Sequence, residues 1–220
     1  MPVMAHVLTV SVGRPQAKEW AGLGRTAIDK RAADGRVRVG ELGLTGDEVG
    51  DVVHHGGREQ AVHAYAREDL DFWEAELGRP IRDGLFGENL TTRGIDLNAL
   101  EIGARLRVGD DGVLLEVSYV RTPCNDFKGW MGETGYDATA WVKRFAQALR
   151  PGPYFRVLAV GTVGAGDAIE VVQRPAHGIT VRDMFVALNL DRSRLPELLA
   201  VEGLTPKARR KAEDFLASRG

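Results

Sequence analysis

Glycine restricts the possible folds of this chain more than any other feature of its sequence. The chain has 27 glycines in 220 residues, and they cluster at turns. Glycine reaches positive φ at no steric cost, so it suits tight connections, whereas it weakens the interior of a helix or strand. The distribution therefore predicts a β-rich fold in which tight connections are frequent.

Strand-like segments recur along the first three quarters of the chain. Alternation with β-branched residues predicts a strand over His6–Val12. Ala104–Val108 and Val113–Tyr119 flank a Gly-Asp-Asp-Gly turn and are predicted to form a hairpin. Phe155–Val160 and Ala168–Gln173 are predicted to pair in the same way across a second glycine-containing turn.

Helical patterns separate some of these strands. Leu70, Trp73 and Leu77 repeat at spacings of three and four residues, and Gly78 follows them, which predicts a short helix that ends there. Apolar residues at helical spacing between positions 138 and 149 predict a second helix, which ends before Pro151-Gly152-Pro153.

The character of the chain changes near Arg174-Pro175. Thr180 with Asp183 predicts a capped helix start, a second helix is predicted over Ser193 to Val201, and Thr205-Pro206 opens a third. Apolar residues would give the three helices a common face: Leu188, Leu195, Leu198, Leu199, Leu204, Phe215 and Leu216. The predicted organisation is mainly β with helices (α+β), with a β-barrel-like domain over residues 1–173 and a three-helix domain over residues 174–220.

Charge and hydropathy argue against several classes of protein. The chain has 29 basic and 31 acidic residues, a formal net charge of −2, and no basic tract of the kind that captures nucleic acid. No apolar run approaches the roughly 20 residues that span a bilayer. The first residues lack a secretory signal, and a single cysteine suits a reducing compartment. We therefore expect a cytoplasmic protein that binds neither nucleic acid nor membrane.

The only cysteine, Cys124, follows a strand-like run in the sequence Arg-Thr-Pro-Cys and precedes a glycine-containing loop. A single cysteine forms no intramolecular disulfide, so it either fills the core or uses its thiolate in chemistry. Pro123 disfavours helix in the residue before it, which favours a strand end or a turn. Arg121 would stabilise a nearby thiolate electrostatically. These residues by themselves leave both alternatives open.

A second candidate site is the sequence His54-His55-Gly56-Gly57. Glycines after a histidine let the backbone approach a ligand and present N–H groups to an anion, although a surface turn has the same composition. His63 and Cys124 would add zinc ligands, but the chain has no Cys-x-x-Cys or His-x-x-x-His spacing to support zinc. Cys124 paired with His55 would also suit a thiol hydrolase.

Five basic residues stand apart in the sequence: Lys30, Arg31, Arg58, Arg121 and Arg156. Such residues usually lie on a solvated surface. Gathered at the mouth of a barrel, they would instead bind a ligand that carries phosphate.

Short motifs that are ambiguous one by one occur in a distinctive order: Gly46-Asp47, His55-Gly56-Gly57, Gly87-Glu88-Asn89-Leu90-Thr91, Arg121-x-Pro-Cys124 and Tyr154-x-Arg156-Val157. This order resembles that of the MOSC family of molybdenum-cofactor proteins, over nearly the whole chain. The end of the chain is similar to that of a subgroup with three helices after the MOSC domain. The resemblance implies a MOSC-type β-barrel that binds molybdopterin together with its metal.

The resemblance also implies roles for individual residues. Cys124 would ligate molybdenum through its thiolate, a soft donor. His55 would line the cofactor pocket and assist proton delivery, so that catalysis would depend on Cys124 and His55. Further contacts with the cofactor are expected from Lys30, Gly56, Gly57, Asn89, Arg121 and Arg156, with the cationic side chains facing the pterin phosphate.

The activity implied by the resemblance is reduction of N-hydroxylated compounds, such as hydroxylamines, N-hydroxylated purines and amidoximes, to amines. The chain has no flavin, haem or iron–sulfur signature, so the electrons would come from an external donor protein. The same residues would also serve a non-catalytic carrier or store of the cofactor, and Cys124 would serve a persulfide sulfur carrier. Whether the protein is a monomer or a homodimer stays open.

Overall fold

The computed structural model describes residues 4–50 and 56–219. In these residues the strands are β1 (His6–Val12), β2 (Gln16–Ala17), β3 (Arg25–Thr26), β4 (Arg31–Ala32), β5 (Val37–Gly40), β6 (Gly43–Leu44), β7 (Val62–Ala66), β8 (Leu90–Arg93), β9 (Arg105–Val108), β10 (Val113–Val120), β11 (Pro153–Ala159), β12 (Gly161–Val163) and β13 (Ile169–Gln173). The helices are α1 (Arg67–Leu77), α2 (Asn125–Glu133), α3 (Trp141–Ala148), α4 (Val181–Asn189) and α5 (Pro206–Ala217), with 3₁₀ segments at Arg58–Gln60, Leu97–Ala99 and Arg192–Ala200. The mixture confirms the α+β class.

The largest sheet has eight strands in the order β13-β9-β10-β11-β7-β8-β1-β4. Its neighbouring strands are antiparallel, except that β7 and β8 run parallel. The N–H of Val7 donates to Asp167 O at 2.9 Å, and the N–H of Ile169 donates to Ala5 O at 2.8 Å. These bonds join the segment that leads into β13 to β1, near the opposite end of the strand order. The sheet therefore curls towards a barrel.

Elements with strong local signals form where the sequence predicts them. β1 has the predicted bounds, and the hairpin of β9 and β10 pairs Val108 with Val113 directly across its turn. Helix α1 ends at Gly78, whose φ of 64° is the left-handed conformation that glycine adopts without strain. Short-range patterns are sufficient in these cases because each element is specified by its own residues and by the turn beside it.

The predicted pairing of the strands near residues 155–160 and 168–173 is wrong. β11 pairs with β10 and β7, whereas β13 pairs with β9. Between them, β12 leaves the large sheet and pairs with β5. The glycine-containing turn therefore connects two sheets, and no pattern within the segment specifies which distant strand each part will meet.

The segment after Cys124 is helix α2 rather than a glycine-containing loop. Phe127, Trp130 and Met131 are buried on one face of the helix. Glycine lowers helix propensity, which is why the sequence suggests a loop here. Gly129 is nevertheless needed, because a Cβ at this position would lie 2.4 Å from the ring of Trp20.

A cluster of buried aromatic rings fixes α2 against the rest of the fold. Phe127 of α2 lies 5.0 Å from Phe86 and 5.2 Å from Trp141, measured between ring centroids. Trp73 of α1 lies 4.9 Å from Trp141 of α3. Aromatic pairs at these separations stabilise beyond their buried area, by about 0.5–1.5 kcal/mol each. The residue that begins α2 is therefore held on a well-packed support.

The end of the chain contains the predicted helix starts. Thr180 and Asp183 form the capping box of α4, and Thr205 caps α5 with Pro206 in its first turn. The middle segment is a 3₁₀ helix that contains Pro196. Leu216 was predicted to belong to the common apolar face, but its side chain is 47% exposed. The domain division at residue 173 stays a prediction. Among the residues described, every helix is too short or too polar to traverse a bilayer.

Candidate functional site

A pocket beside Cys124 collects residues from distant parts of the chain. Lys30, Gly56, Asn89, Arg121 and Cys124, all predicted site residues, line this pocket, which we call the cationic pocket. The fold thus brings together five of the residues that the sequence singled out. His55, the predicted proton carrier, lies outside the described residues.

Cys124 occupies the position immediately before the first turn of α2. Its Sγ accepts a hydrogen bond from the N–H of Phe127 at 3.4 Å, and the side chain is half-buried. The start of a helix presents partial positive charge to a group at this position, because its first N–H groups have no partner within the helix. A sulfur that is neither enclosed nor fully exposed is available to a ligand in the pocket.

Arg121 supplies a buried positive charge to the pocket. The residue is 7% exposed, its Nη1 donates to Phe86 O, and its guanidinium lies 4.2 Å from the centroid of the Phe127 ring. Its Nε has no hydrogen-bond partner, and no carboxylate forms an ion pair with it, in the part of the chain that the structure describes. An unneutralised cation in a lined cavity is a receptor for an anionic group.

Lys30 supplies a second cation, which is 8% exposed and paired with Asp47. Burial lowers the pKa of Lys30, and Asp47 partly offsets this by favouring the charged form. Asp47 also accepts hydrogen bonds from Gly13 N–H at 2.8 Å and from Asn89 Nδ2 at 2.9 Å. Asp47 is therefore the centre of the polar network, a role that the sequence did not assign although Gly46-Asp47 was among its motifs.

Asn89 uses its side chain within the protein. Besides donating to Asp47, its Nδ2 donates to Ser11 O at 3.2 Å, and its Oδ1 accepts from the N–H of His63 at 3.1 Å. The amide thus joins β1, β7 and the start of β8 at the wall of the pocket. It positions the wall, and its direct contact with a ligand stays a prediction.

His63 and Tyr154 line the same pocket. The sequence offered His63 only as a zinc ligand and Tyr154 only as part of a motif, and it predicted neither as a contact of the cofactor. Their rings lie 4.9 Å apart. Burial and, secondarily, the charge of Arg121 hold the pKa of His63 well below its ordinary value of 6.5, so the imidazole is neutral at neutral pH. Burial also raises the pKa of Tyr154, which keeps its phenolic proton.

Two residues that were predicted to contact the cofactor, Gly57 and Arg156, do not line the cationic pocket. Gly57 precedes the 3₁₀ segment Arg58–Gln60 and is not among the residues that line the pocket. Arg156 donates from Nη2 to Glu59 Oε2 at 2.6 Å and to Gly203 O at 3.1 Å, and its Nη1 lies 3.5 Å from Glu116 Oε1. Arg156 therefore links the 3₁₀ segment to the end of the chain through Nη1 and Nη2, while its buried Nε makes no hydrogen bond to the residues that the structure describes.

The donor groups of the pocket fit a cofactor that brings its own metal ligands. Among residues 4–50 and 56–219, no group of three or more His, Cys, Asp or Glu side chains could hold a metal ion. One thiol beside two buried cations is instead suited to a metal with soft ligands of its own and an anionic tail. The orphaned Nε of Arg121 is the structural observation that favours an anion here.

Comparison with known proteins decides the family. The family model of the MOSC domain matches residues 51–170 of the sequence. The chain belongs to the MOSC domain family. Protein YiiM of Escherichia coli is 30% identical over 205 residues, which are 86% of this chain and 88% of YiiM. The protein is therefore a YiiM-like member of the family, as the resemblance indicated, and its function is related to the molybdenum cofactor.

Other relatives agree with this assignment. The uncharacterized protein YflK of Bacillus subtilis is 36% identical over 177 residues, 80% of this chain and 77% of YflK. A protein of Gibberella moniliformis named a reductase is 35% identical over 178 residues, which are 79% of this chain but 30% of the fungal protein. In fold, YiiM from Geobacillus stearothermophilus superposes with a TM-score of 0.77 at 24% identity, over 96% of this chain and 99% of that one.

Proposed function

We propose that this MOSC protein is a molybdenum-cofactor-dependent reductase that converts N-hydroxylated compounds to amines. The observation that carries the proposal is that Cys124 lines the same pocket as two buried cations, Lys30 and Arg121. A thiolate and a pair of cations are the two kinds of group that a metal–dithiolene cofactor with a phosphate requires. The fungal relative named a reductase supports the same reaction class.

The chain's own residues have distinct tasks in this proposal. Cys124 would hold the metal through its sulfur, and Arg121 would bind the phosphate of the pterin with the N–H groups that protein partners leave free. Lys30, kept in place by Asp47, adds positive charge to the same region. When bound, the cofactor supplies the two-electron redox chemistry at its metal. His55 stays a predicted proton carrier.

The overall reaction consumes two electrons and two protons: an N–OH compound becomes the N–H compound and water. Tyr154 lines the pocket with its phenolic proton retained, because burial raises its pKa. His63, neutral for the reason given above, has one N–H and one free nitrogen lone pair in the same wall. These side chains can hold a proton near the reacting group without adding charge. The electrons come from an external donor protein, and we place the reaction in the cytoplasm.

Metal analysis and turnover of the purified protein test the proposal. The protein is produced in a host that makes the cofactor, as wild type and as Cys124→Ala, Arg121→Met and Arg107→Met variants. Arg107 is an exposed residue of β9 outside the pocket and serves as the matched control. We expect stoichiometric molybdenum in the wild type and the Arg107 variant, loss of metal in the Cys124 variant, and roughly ten- to hundredfold weaker retention in the Arg121 variant, since a charge-assisted hydrogen bond contributes about 1.5–3 kcal/mol.

Turnover is then measured with benzamidoxime and N-hydroxylaminopurine and an artificial reductant. Formation of benzamidine and of the aminopurine by molybdenum-loaded wild type supports the reductase. Molybdenum bound through Cys124 without turnover of either compound would instead identify a carrier or store. Labile sulfur on Cys124 in protein without molybdenum would identify a sulfur carrier.

A further inference from the structure

Cys124 stands at the junction of two pockets. Besides the cationic pocket, it lines a second pocket that extends towards the end of the chain, and Gln60, Thr122, Asp126 and Tyr154 belong to both. We call this second cavity the tail pocket. Neither Lys30 nor Arg121 lines it; its own walls include Leu23, Tyr119 and Lys207. The two cavities therefore differ in chemistry although they meet at one sulfur.

The tail pocket contains polar groups that lack protein partners. Tyr119 is 3% exposed, and its hydroxyl makes no hydrogen bond to the residues that the structure describes. Gln60 Oε1 is also buried and makes no hydrogen bond to the described residues. Burial raises the pKa of Tyr119 to about 12, so the hydroxyl remains a hydrogen-bond donor. Leaving such groups without partners costs about 1–3 kcal/mol each, which a bound ligand would recover.

Lys207 comes from α5, near the end of the chain, and its Nζ lies 5.6 Å from the centroid of the Tyr119 ring. The position of α5 is fixed, because Ala208 and Ala212 are buried and Arg156 holds the preceding turn through Gly203 O. The same Arg156 holds Glu59, the neighbour of Gln60. Arg156 thus fixes two walls of the tail pocket, the wall from α5 and the wall from the 3₁₀ segment Arg58–Gln60.

Asp126 gives the tail pocket an acidic end beside Cys124, whereas Lys207 and Tyr119 provide hydrogen-bond donors at its other end. Asp126 lies two residues from Cys124 in the shared wall, and its Oδ1 accepts from the N–H of Gly22 at 2.9 Å. A ligand with N–H groups at one end would donate to this carboxylate beside the sulfur. Its other end would reach Lys207 and Tyr119, which donate to an acceptor or an anion.

We propose that the tail pocket binds the body of the N-hydroxylated substrate, and that Lys207 and Tyr119 select substrates that carry a hydrogen-bond acceptor or a carboxylate opposite the N–OH group. This inference rests on the proposed reductase function. Lys30 and Arg121, the buried cations of the cationic pocket, would hold the cofactor's phosphate there, so the tail pocket remains for the substrate. The three-helix segment then contributes directly to substrate choice.

Two substrates on one enzyme preparation test the selection. Benzamidoxime and 4-carboxybenzamidoxime differ only in the carboxylate, and the ratio of their kcat/KM values is independent of how much cofactor each preparation holds. We expect Lys207→Ala to lower the ratio of carboxylated to plain substrate about three- to fivefold, as an exposed ion pair allows. Tyr119→Phe should lower it about fivefold. Lys211→Ala, one turn further along α5 and outside the pocket, is the control and should leave the ratio unchanged.

The outcomes separate this inference from the proposed function. Turnover of both substrates with ratios that neither Lys207→Ala nor Tyr119→Phe changes would overturn the tail pocket as the substrate site and leave the reductase intact. Binding of the product 4-carboxybenzamidine to loaded protein, measured by calorimetry, is a second readout. Binding that weakens with Lys207→Ala and not with Lys211→Ala, in a protein that reduces neither substrate, would support the pocket and refute the reductase. Tyr119→Phe removes only an unpaired hydroxyl, so its thermal stability should not fall.

Discussion

Replacing Asp47 by alanine tests whether the polar centre of the cationic pocket depends on a buried ion pair. The side chains of Lys30 and Asp47 are each 10% exposed, and Asp47 also accepts from Gly13 and Asn89. The substitution leaves a buried ammonium without its counter-ion, and breaking such a pair costs about 3–5 kcal/mol. In a chain of this length, that loss lowers Tm by roughly 6–20 °C.

Proton release from Lys30 sets a ceiling on this loss. The ordinary pKa of lysine is 10.5, and burial lowers the pKa of Lys30 in the folded protein. Neutralising the side chain costs about 1.4 kcal/mol for each pH unit below that ordinary value, hence about 5 kcal/mol at pH 7 and about 2 kcal/mol at pH 9. In this window the unfolded chain binds more protons than the folded variant, so the stability of the variant rises with pH. We therefore expect the loss to shrink to about 2 kcal/mol at pH 9.

Urea unfolding followed by tryptophan fluorescence at pH 7 and pH 9 measures the effect. The double variant Asp47→Ala with Lys30→Met removes the stranded charge and should recover most of the loss. Glu170→Ala breaks the exposed pair with Arg107 and should change the free energy of unfolding by less than about 1 kcal/mol. A loss that is the same at both pH values, or a double variant no more stable than Asp47→Ala, would refute the argument from buried charge.

Three further predictions concern the supports of the site. Gly129→Ala places a Cβ 2.4 Å from the ring of Trp20, so we expect about 1–3 kcal/mol of destabilisation and a shifted tryptophan emission. Burial raises the pKa of Glu88, so wild-type stability falls as pH rises above the ordinary 4.5; in Glu88→Gln, urea unfolding at pH 4.5 and pH 7 should show a smaller fall. Arg156→Met removes the bond to Gly203 O, so limited proteolysis near that turn should become faster while the Arg156→Lys variant is affected less.

Of the candidate site, the sequence identified individual residues better than their arrangement. Lys30, Asn89, Arg121 and Cys124 meet at one pocket as expected. Motif order was sufficient to identify Asn89, Arg121 and Cys124 because it marks positions far apart in the chain, whereas Lys30 lies in no motif and was singled out only as a basic residue. Asp47 was present in a motif without a role, because its importance comes from three partners that only folding brings to it.

The sequence by itself determined the elements whose signals are local: the alternation of β1, the turn between β9 and β10, the glycine that ends α1 and the capping box of α4. Each depends on residues within a few positions of one another, so backbone preference and side-chain spacing specify them. Only the tertiary structure decided that Gly129 lies in a helix under Trp20, that Arg156 joins Glu59 to Gly203, and that Lys207 reaches Tyr119. These contacts join residues far apart in the chain, and packing, rather than local preference, selects which distant surfaces meet.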